Sequence, residues 1–483
     1  MIIRGIWING EERPGRSNRL QEVTNPYDGM SVGAVQTASA EDSSEAVEVA
    51  LRAFRESMRS MPVHERAAIL RRVAQLIRED AEELESIVIA EVGKPIKDVR
   101  RELGRAQYLL ELIASQLTSW SGQTIPLDNV ASGVNRFGYA VRVPLGVMVA
   151  LAPSNSPVNL TLNKVAPALG VGNSVVLKPA VQTPFSALWL ARAFQRAGLP
   201  DGALNVVIGN VEEAAGPLVR DPRVRMVSIT GGVPAGLAVI RAAGMKKVTL
   251  ELGSSSANVV RSDADVKTAA RSLALSSYLS SGQACIAAQR LIVHESIVDE
   301  FIEHFVPAAE AMVIGDPRDP KTDIGPMGSR AQVARVLSWI DEAKSAGAKV
   351  LTGGVEFRRT IKPTLLTDVS PDVTLATSEA FAPVAALTTF ETDDEAIELV
   401  NDSVFGLQAG VFTNSVDAAF RFAEEIEAGA VWVNDSSRYR QENYPFGGVK
   451  LSGVGREGLP YAMEDMTELK FIGLKLGSNP GLL

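Results

Sequence analysis

From Glu41 to about Gln116 apolar residues return every three or four positions, which predicts a run of amphipathic helices. Within His64 to Asp80 the apolar set is Leu70, Val73, Leu76 and Ile77, and Arg and Glu fill the opposite side. Such helices face a core and keep a solvated back. Gly93 and Pro95, in the segment from Glu91 to Pro95, together stop the series. From Gly122 to Val143 the helical period is lost, and Val134, Phe137, Tyr139 and Val141 predict extended, hairpin-like strands.

From Gly146 onward short apolar runs alternate with helical ones. Strands are predicted over Gly146 to Ala152, Ser174 to Lys178, Ala203 to Ile208 and Val224 to Ile229. Helices are predicted over Leu160 to Leu169, Ser186 to Ala197 and, after a glycine turn, Ala235 to Ala243. That alternation predicts an α/β fold with a parallel sheet covered on both faces, whose ligands sit beyond the carboxyl ends of the strands. After Leu252 the rhythm restarts with a helix from Asp265 to Ser281, a strand from Arg290 to Val293, and helices from Ile297 to Met312 and Ser329 to Ala346. The restart marks a domain boundary. The tail from Glu468 to Leu476 alternates as a strand does and is expected to pair with the Gly122 to Val143 ribbon of the same or another subunit.

Length and composition narrow the class. At 483 residues, 46 % of them hydrophobic, the chain has material for two domains plus appendages. The net charge of −9 is spread without a basic block, which argues against nucleic acid or an anionic membrane as partner. The longest apolar run, Val143 to Pro153, is interrupted by Pro144 and Gly146 and is too short for a membrane span. The N-terminus has no signal-peptide build, and one cysteine in the whole chain suits the reducing cytoplasm. His64, His294 and His304 fit no metal-binding spacing, so no metal is expected.

Three features carry candidate chemistry. Cys285 lies in the small-residue stretch from Ser281 to Arg290; taken alone it reads as a core thiol, because free cysteine is among the most buried residue types. Glu251 lies in an apolar strand beside Gly253, where burial would raise its pKa toward the range of a general base, unless it belongs to a structural ion pair. The turn from Thr230 to Gly236 follows a strand and opens a helix, a setting for pyrophosphate that a plain tight turn shares.

Together with Asn155 in the segment from Pro153 to Pro157, these features resemble the aldehyde dehydrogenase superfamily. The likeness runs almost end to end, through Asn25-Pro26, Glu91 to Pro95, Leu177 to Ala180, Leu250 to Gly253, Gly282 to Cys285, Glu379 to Pro383, Asn401 to Gly406 and Pro445 to Lys450 with Ser452-Gly453. The resemblance implies a Rossmann-like cofactor-binding domain from 1–121 and 144–252, an α/β catalytic domain from 253–440, and oligomerisation strands from 122–143 and 465–483. It implies Cys285 as nucleophile, Asn155 as oxyanion donor, Glu251 as the base that activates water, and Lys164 in support. Lys178 would meet the adenosine ribose of NAD or NADP, Glu379 the nicotinamide ribose with Phe381 beside the ring, and Gly231 and Gly236 the pyrophosphate. Asn434 matches a structural asparagine, and a homodimer or homotetramer is expected.

Departures from the family pattern refine these expectations. Ser154 and Ser156 replace larger residues, so the wall near the aldehyde is smaller and more polar. Gly232 and Val233 remove hydroxyls from the pyrophosphate turn, Ser254 and Ala382 replace glycines, and Val181 stands where NAD-preferring relatives carry an acid, so NADP is not excluded. Arg105 and the stretch from Asn434 through Arg438 to Arg440 resemble the subgroup acting on lactaldehyde and phosphonoacetaldehyde. There Arg105 would hold an anionic tail bidentately, with Ser156 and Arg438 in the same pocket. Ala284, where the phosphonate pattern has arginine, argues against a phosphonate. The expected activity is NAD(P)-dependent oxidation of a short polar or anionic aldehyde to its acid. A CoA-acylating dehydrogenase and a catalytically silent binding or structural paralogue are the alternatives.

Overall fold

A computed structural model describes residues 2–477. The helices at the N-terminal side form where the periodicity places them, over Ala40–Ala53, Val63–Glu79, Ala81–Val92 and Ile96–Leu117. Ser39 opens the first with a capping box to Asp42, and the third ends at Gly93 in the left-handed conformation. Leu70, Val73, Leu76 and Ile77 are all buried in one core. Each is worth about 1.5–3 kcal/mol in area removed from water.

That core is laid on an eight-stranded sheet. Its central strands Val147–Leu151, Ser174–Lys178 and Val224–Thr230 run parallel, with Lys247–Glu251 beside the last. Leu151 pairs with Lys178, Ile229 with Leu151, and Thr230 with Glu251. The register therefore brings Lys178, the segment after Leu151, the glycine turn and Glu251 to the same carboxyl edge. Near-continuous burial of Val147–Leu151 is what a sheet covered on both faces requires. The N-terminal strand Ile6–Ile8 also joins this sheet, antiparallel to Leu204–Val206.

A seven-stranded sheet follows, in which Ser256–Val260, Ala288–His294 and Val384–Phe390 are parallel neighbours. The helix preceding the cysteine ends at Tyr278, short of the expected Ser281, because Ser280 and Ser281 take positive φ of 53° and 59°. The segment 441–464, for which periodicity assigned no place, returns to the first layer. Gly453–Val454 pairs with Leu250 and Glu251, and Leu459, Ala462, Met463 and Met466 enter the first core.

The tail strand Thr467–Lys475 pairs with Arg136–Pro144 of its own chain, antiparallel from Thr467–Pro144 to Lys475–Arg136. Leu469, Phe471 and Leu474 remain exposed on it. Residues 478–483, which belong to the expected tail element, lie outside the described residues. Among the described residues no helix is long and apolar enough to cross a membrane.

Two helical glycines respond to packing in opposite ways. A Cβ on Gly236 would fall 2.5 Å from the Leu252 side chain, whereas one on Gly104 would meet nothing within 4 Å. Gly104→Ala is expected to stabilise by about 0.5–1 kcal/mol through backbone entropy. Gly236→Ala is expected to destabilise by about 1–3 kcal/mol through overpacking. Urea unfolding of the two variants checks the opposite signs.

Candidate active site

The loop before Ala288–His294 brings the cysteine to the junction of two cavities. Ala284 and Ile286 line a cavity of about 420 Å³, while Gln283, with Asn155, Ser154 and Phe381, lines a smaller one of about 80 Å³ on the other side. Cys285 is half-buried, and its sequence neighbours belong to both linings. Three successive left-handed residues, Ser280, Ser281 and Gly282, turn the chain into this position. Side chains hold the turn: Ser280 Oγ donates to Asp98 at 2.8 Å, Ser281 Oγ to the Gly325 carbonyl at 2.9 Å, and Gly328 N–H to Gln283 Oε1 at 2.9 Å. Gly282 is required there, since a Cβ would lie 2.1 Å from the Ala382 carbonyl oxygen.

Asn155 reaches the same loop, donating Nδ2–H to the Gln283 carbonyl at 2.9 Å. Its amide carries two N–H groups, so one remains for a substrate oxygen. Among the described residues the Cys285 N–H meets no acceptor. The site therefore offers two donors beside one sulfur.

Glu251 ends its strand 3 % exposed, and neither carboxylate oxygen has a hydrogen-bond partner. It is not a structural ion pair. Burial holds its pKa well above 4.5; Glu457 raises it further, while Lys164, Arg440 and Arg456 oppose the rise. Lys164 does not touch Glu251 but donates to Glu457 Oε1 at 2.6 Å, and Arg440 donates to Glu457 Oε2 at 2.9 Å.

Burial pushes the Cys285 thiol up to about 12, with Arg440 opposing and Glu379, Glu251 and Glu457 adding to the rise. Burial thus favours the protonated thiol over the thiolate in the resting chain.

The other expected residues divide. Lys178 has no hydrogen-bond partner among the described residues, and burial lowers its pKa to about 8. Val181 is half-buried three residues on and leaves no acid there. Glu379 accepts from the Ser254 N–H at 3.1 Å, and burial raises it to about 7. Phe381 takes φ of 50° at the edge of the smaller cavity. Gly231 and Gly232 leave the start of the Val233–Ala243 helix without a side-chain cap and without crowding. Gly236 faces Leu252, so its missing side chain makes room for the packing of the helix against that residue. Asn434 is structural, its Oδ1 accepting from the Thr413 N–H at 2.9 Å.

Five cations line the larger cavity, and four already have carboxylates. Lys94 pairs with Glu102 at 2.5 Å, Arg101 with Asp98 at 3.0 Å, Arg105 with Glu442 at 2.5 Å and Arg440 with Glu457 at 2.9 Å. Arg105, expected to hold a substrate anion, lines the cavity with its Nε and Nη2 both donating to Glu442 Oε1. Ser156 lines the cavity as expected, but its hydroxyl accepts from Lys94 at 2.8 Å. Arg438 has no carboxylate within ion-pair distance among the described residues; its nearest bond is to the Ser276 carbonyl at 3.3 Å. Asp435 shares the wall and accepts from the Ser436 N–H at 2.7 Å. Glu442 and Glu457 carry no local signal along the chain, since only folding brings them beneath the site.

Residues 13–472 match the model of the aldehyde dehydrogenase family. The chain belongs to that family. It is 39 % identical over 472 residues to a 3-sulfolactaldehyde dehydrogenase of Priestia megaterium, covering 98 % of each chain. It is 37 % identical over 476 residues to a lactaldehyde dehydrogenase of Methanocaldococcus jannaschii, covering 98 % of this chain and 99 % of the relative. Aldehyde dehydrogenase 21 of Physcomitrella patens, solved in complex with its reaction product succinate, superimposes with a TM-score of 0.94 at 34 % identity over 100 % of both chains. The fold and the lactaldehyde-like subgroup expected from the sequence agree with these relatives.

Because the aldehyde dehydrogenase chain has one cysteine, alkylation reads Cys285 alone. The iodoacetamide rate of the free protein is expected to be still rising at pH 10, beyond the plateau of an ordinary thiol of pKa about 8.5. A plateau below pH 9 would contradict the buried-thiol geometry.

Proposed function

We propose that this chain oxidises a short aldehyde with a polar or anionic tail to the carboxylic acid, using NAD or NADP and hydrolysing a Cys285 thioester. The observation that carries the reading is the half-buried Cys285 on the loop to which Asn155 donates, with a Glu251 carboxylate that is unpartnered among the described residues acting on the thiol.

The residues fit the dinucleotide. Lys178 is a half-buried amine without a partner among the described residues, suited to ribose hydroxyls, and the uncapped N–H groups at the start of Val233–Ala243 suit a phosphate. Glu379 lies so close to Gly253 that a Cβ there would fall 2.4 Å from Oε2, which leaves the carboxylate beside bare backbone for the second ribose. With Val181 near Lys178 no acid repels a 2′-phosphate, so both cofactors are accepted. A bound nicotinamide supplies the two-electron acceptor that converts the thiohemiacetal to a thioester.

The chain's own groups do the rest. As the Cys285 proton passes to solvent, sulfur bonds to the aldehyde carbon, and the carbonyl oxygen takes the negative charge between Asn155 Nδ2–H and the Cys285 N–H. Donors so placed lower the barrier by roughly 3–4 kcal/mol. After oxidation Glu251 removes a proton from water as its oxygen bonds to the thioester carbon, and the carbon–sulfur bond breaks. Glu251 is the feature that favours water over CoA as acyl acceptor and activity over a silent scaffold. Arg438, the one lining cation without a carboxylate among the described residues, would hold the anionic tail. We also propose a homodimer or homotetramer, with the exposed Leu469, Phe471 and Leu474 covered by a second copy.

Two measurements test the reading. Glu251→Gln should still release one equivalent of reduced cofactor per site and then turn over about 10²–10⁴-fold more slowly; steady turnover at the normal rate would contradict it. Arg438→Gln should lower kcat/KM for carboxylate- or sulfonate-bearing aldehydes by about 10- to 100-fold while sparing neutral ones. Arg105→Gln, which exposes buried Glu442, should lower both alike.

A further inference from the structure

The backbone against Glu251, where a Cβ on Gly447 would fall 2.9 Å from Oε1, is paired through Phe446 to Glu457, which centres a buried charge cluster. Glu457 is shared by two cations, Lys164 from the helix Asn159–Gly170 at 2.6 Å and Arg440 from the segment after Asn434 at 2.9 Å. All three side chains are at most 6 % exposed. The Arg440 guanidinium rests 3.7 Å over the Phe446 ring, and its Nε is buried without a hydrogen-bond partner. One wall of Arg440 faces the 420 Å³ cavity, the other this cluster.

Two cations share one carboxylate in direct contact; Glu442, buried and already paired with Arg105, also acts on Arg440 from a distance. Ionised Glu251 would complete the balance. The remaining charged groups acting on Glu251 and the thiol are Arg456, which donates to the Gly448 and Gly455 carbonyls, and Glu379 across the thiol. Two cations with two carboxylates is the arrangement in which burial of each charge is compensated.

We propose that Arg440 is a positioning residue for hydrolysis: through Glu457 it supplies the second positive charge that lets Glu251 exist as the carboxylate that takes the proton of water. Lys164 alone is spent on Glu457. The inference rests on the hydrolytic cysteine reading and adds a residue whose distance from the water is bridged by charge and not by contact.

The test isolates hydrolysis from thiol activation by acylating the full chain with p-nitrophenyl acetate. The Cys285 sulfur bonds to the acetyl carbon and p-nitrophenolate leaves as a burst. Water then adds with Glu251 taking its proton, acetate departs, and the departing sulfur takes up a proton to restore the resting thiol. The decay of the acyl-enzyme is followed from pH 5 to 10. In Arg440→Gln the rise of hydrolysis with pH should move up by about one to three units, which below the limb is about 10- to 1000-fold slower decay. Arg440→Lys should restore the limb. Glu457→Gln, which removes a like charge and leaves both cations, should move it down. The burst amplitude counts competent sites, so a variant that misfolds shows itself, and Glu457→Gln still decides the sign. Limbs that coincide with the parent, or that move the same way in Arg440→Gln and Glu457→Gln, overturn the proposal. Absence of a burst in the parent, or its survival in Cys285→Ala, overturns the cysteine reading itself.

Discussion

The site is organised around the cost of burying Glu251. A carboxylate at a strand end, with no hydrogen bond to either oxygen, is held only by the field of groups it does not touch. An isolated buried charge of this kind loses several kcal/mol of solvation. Lys164 and Arg440, both fixed on Glu457, answer that cost with positive charge, while Glu457 itself opposes it. Burial pushes the Glu457 carboxylate up, but its two cations outweigh that and hold it below the usual value, so it stays ionised. The fold thus keeps one carboxylate permanently charged in order to leave another poised.

The nucleophile depends on a second constraint, three residues held in the left-handed region. For Ser280 and Ser281 that conformation costs on the order of 1–3 kcal/mol each. Hydrogen bonds to Asp98 and to the Gly325 carbonyl, together with the absence of a side chain at Gly282, offset it. The outcome is a loop whose residues around the cysteine line two different cavities, Ala284 and Ile286 the one rich in arginine and Gln283 the one beside Phe381 and Asn155.

Much of this is legible in the chain itself. The helix stripe of Leu70, Val73 and Ile77, and the parallel strands ending at Leu151 and Lys178, follow from apolar spacing, because burial on one face or on both leaves different periods in the chain. Cys285, Glu251 and Asn155 stand out because their segments keep a recognisable order. Arg105 is paired with Glu442 and Arg438 is the freer cation, which spacing does not reveal, since a guanidinium's availability depends on which carboxylate folds against it. Gly236 shows a related limit: glycine signals a close approach but not what approaches.

The sequence alone determined the order of elements, the family likeness and the residue types able to do the chemistry, because these depend on local spacing and on side-chain identity. The tertiary structure decided which charges cancel. Glu442 and Glu457 lie far along the chain from Arg105 and Lys164, on a segment that returns to the first sheet after the second is complete. Ion pairs in a low-dielectric interior are set by distances of a few ångströms, and no periodicity in a chain records distances between segments hundreds of residues apart.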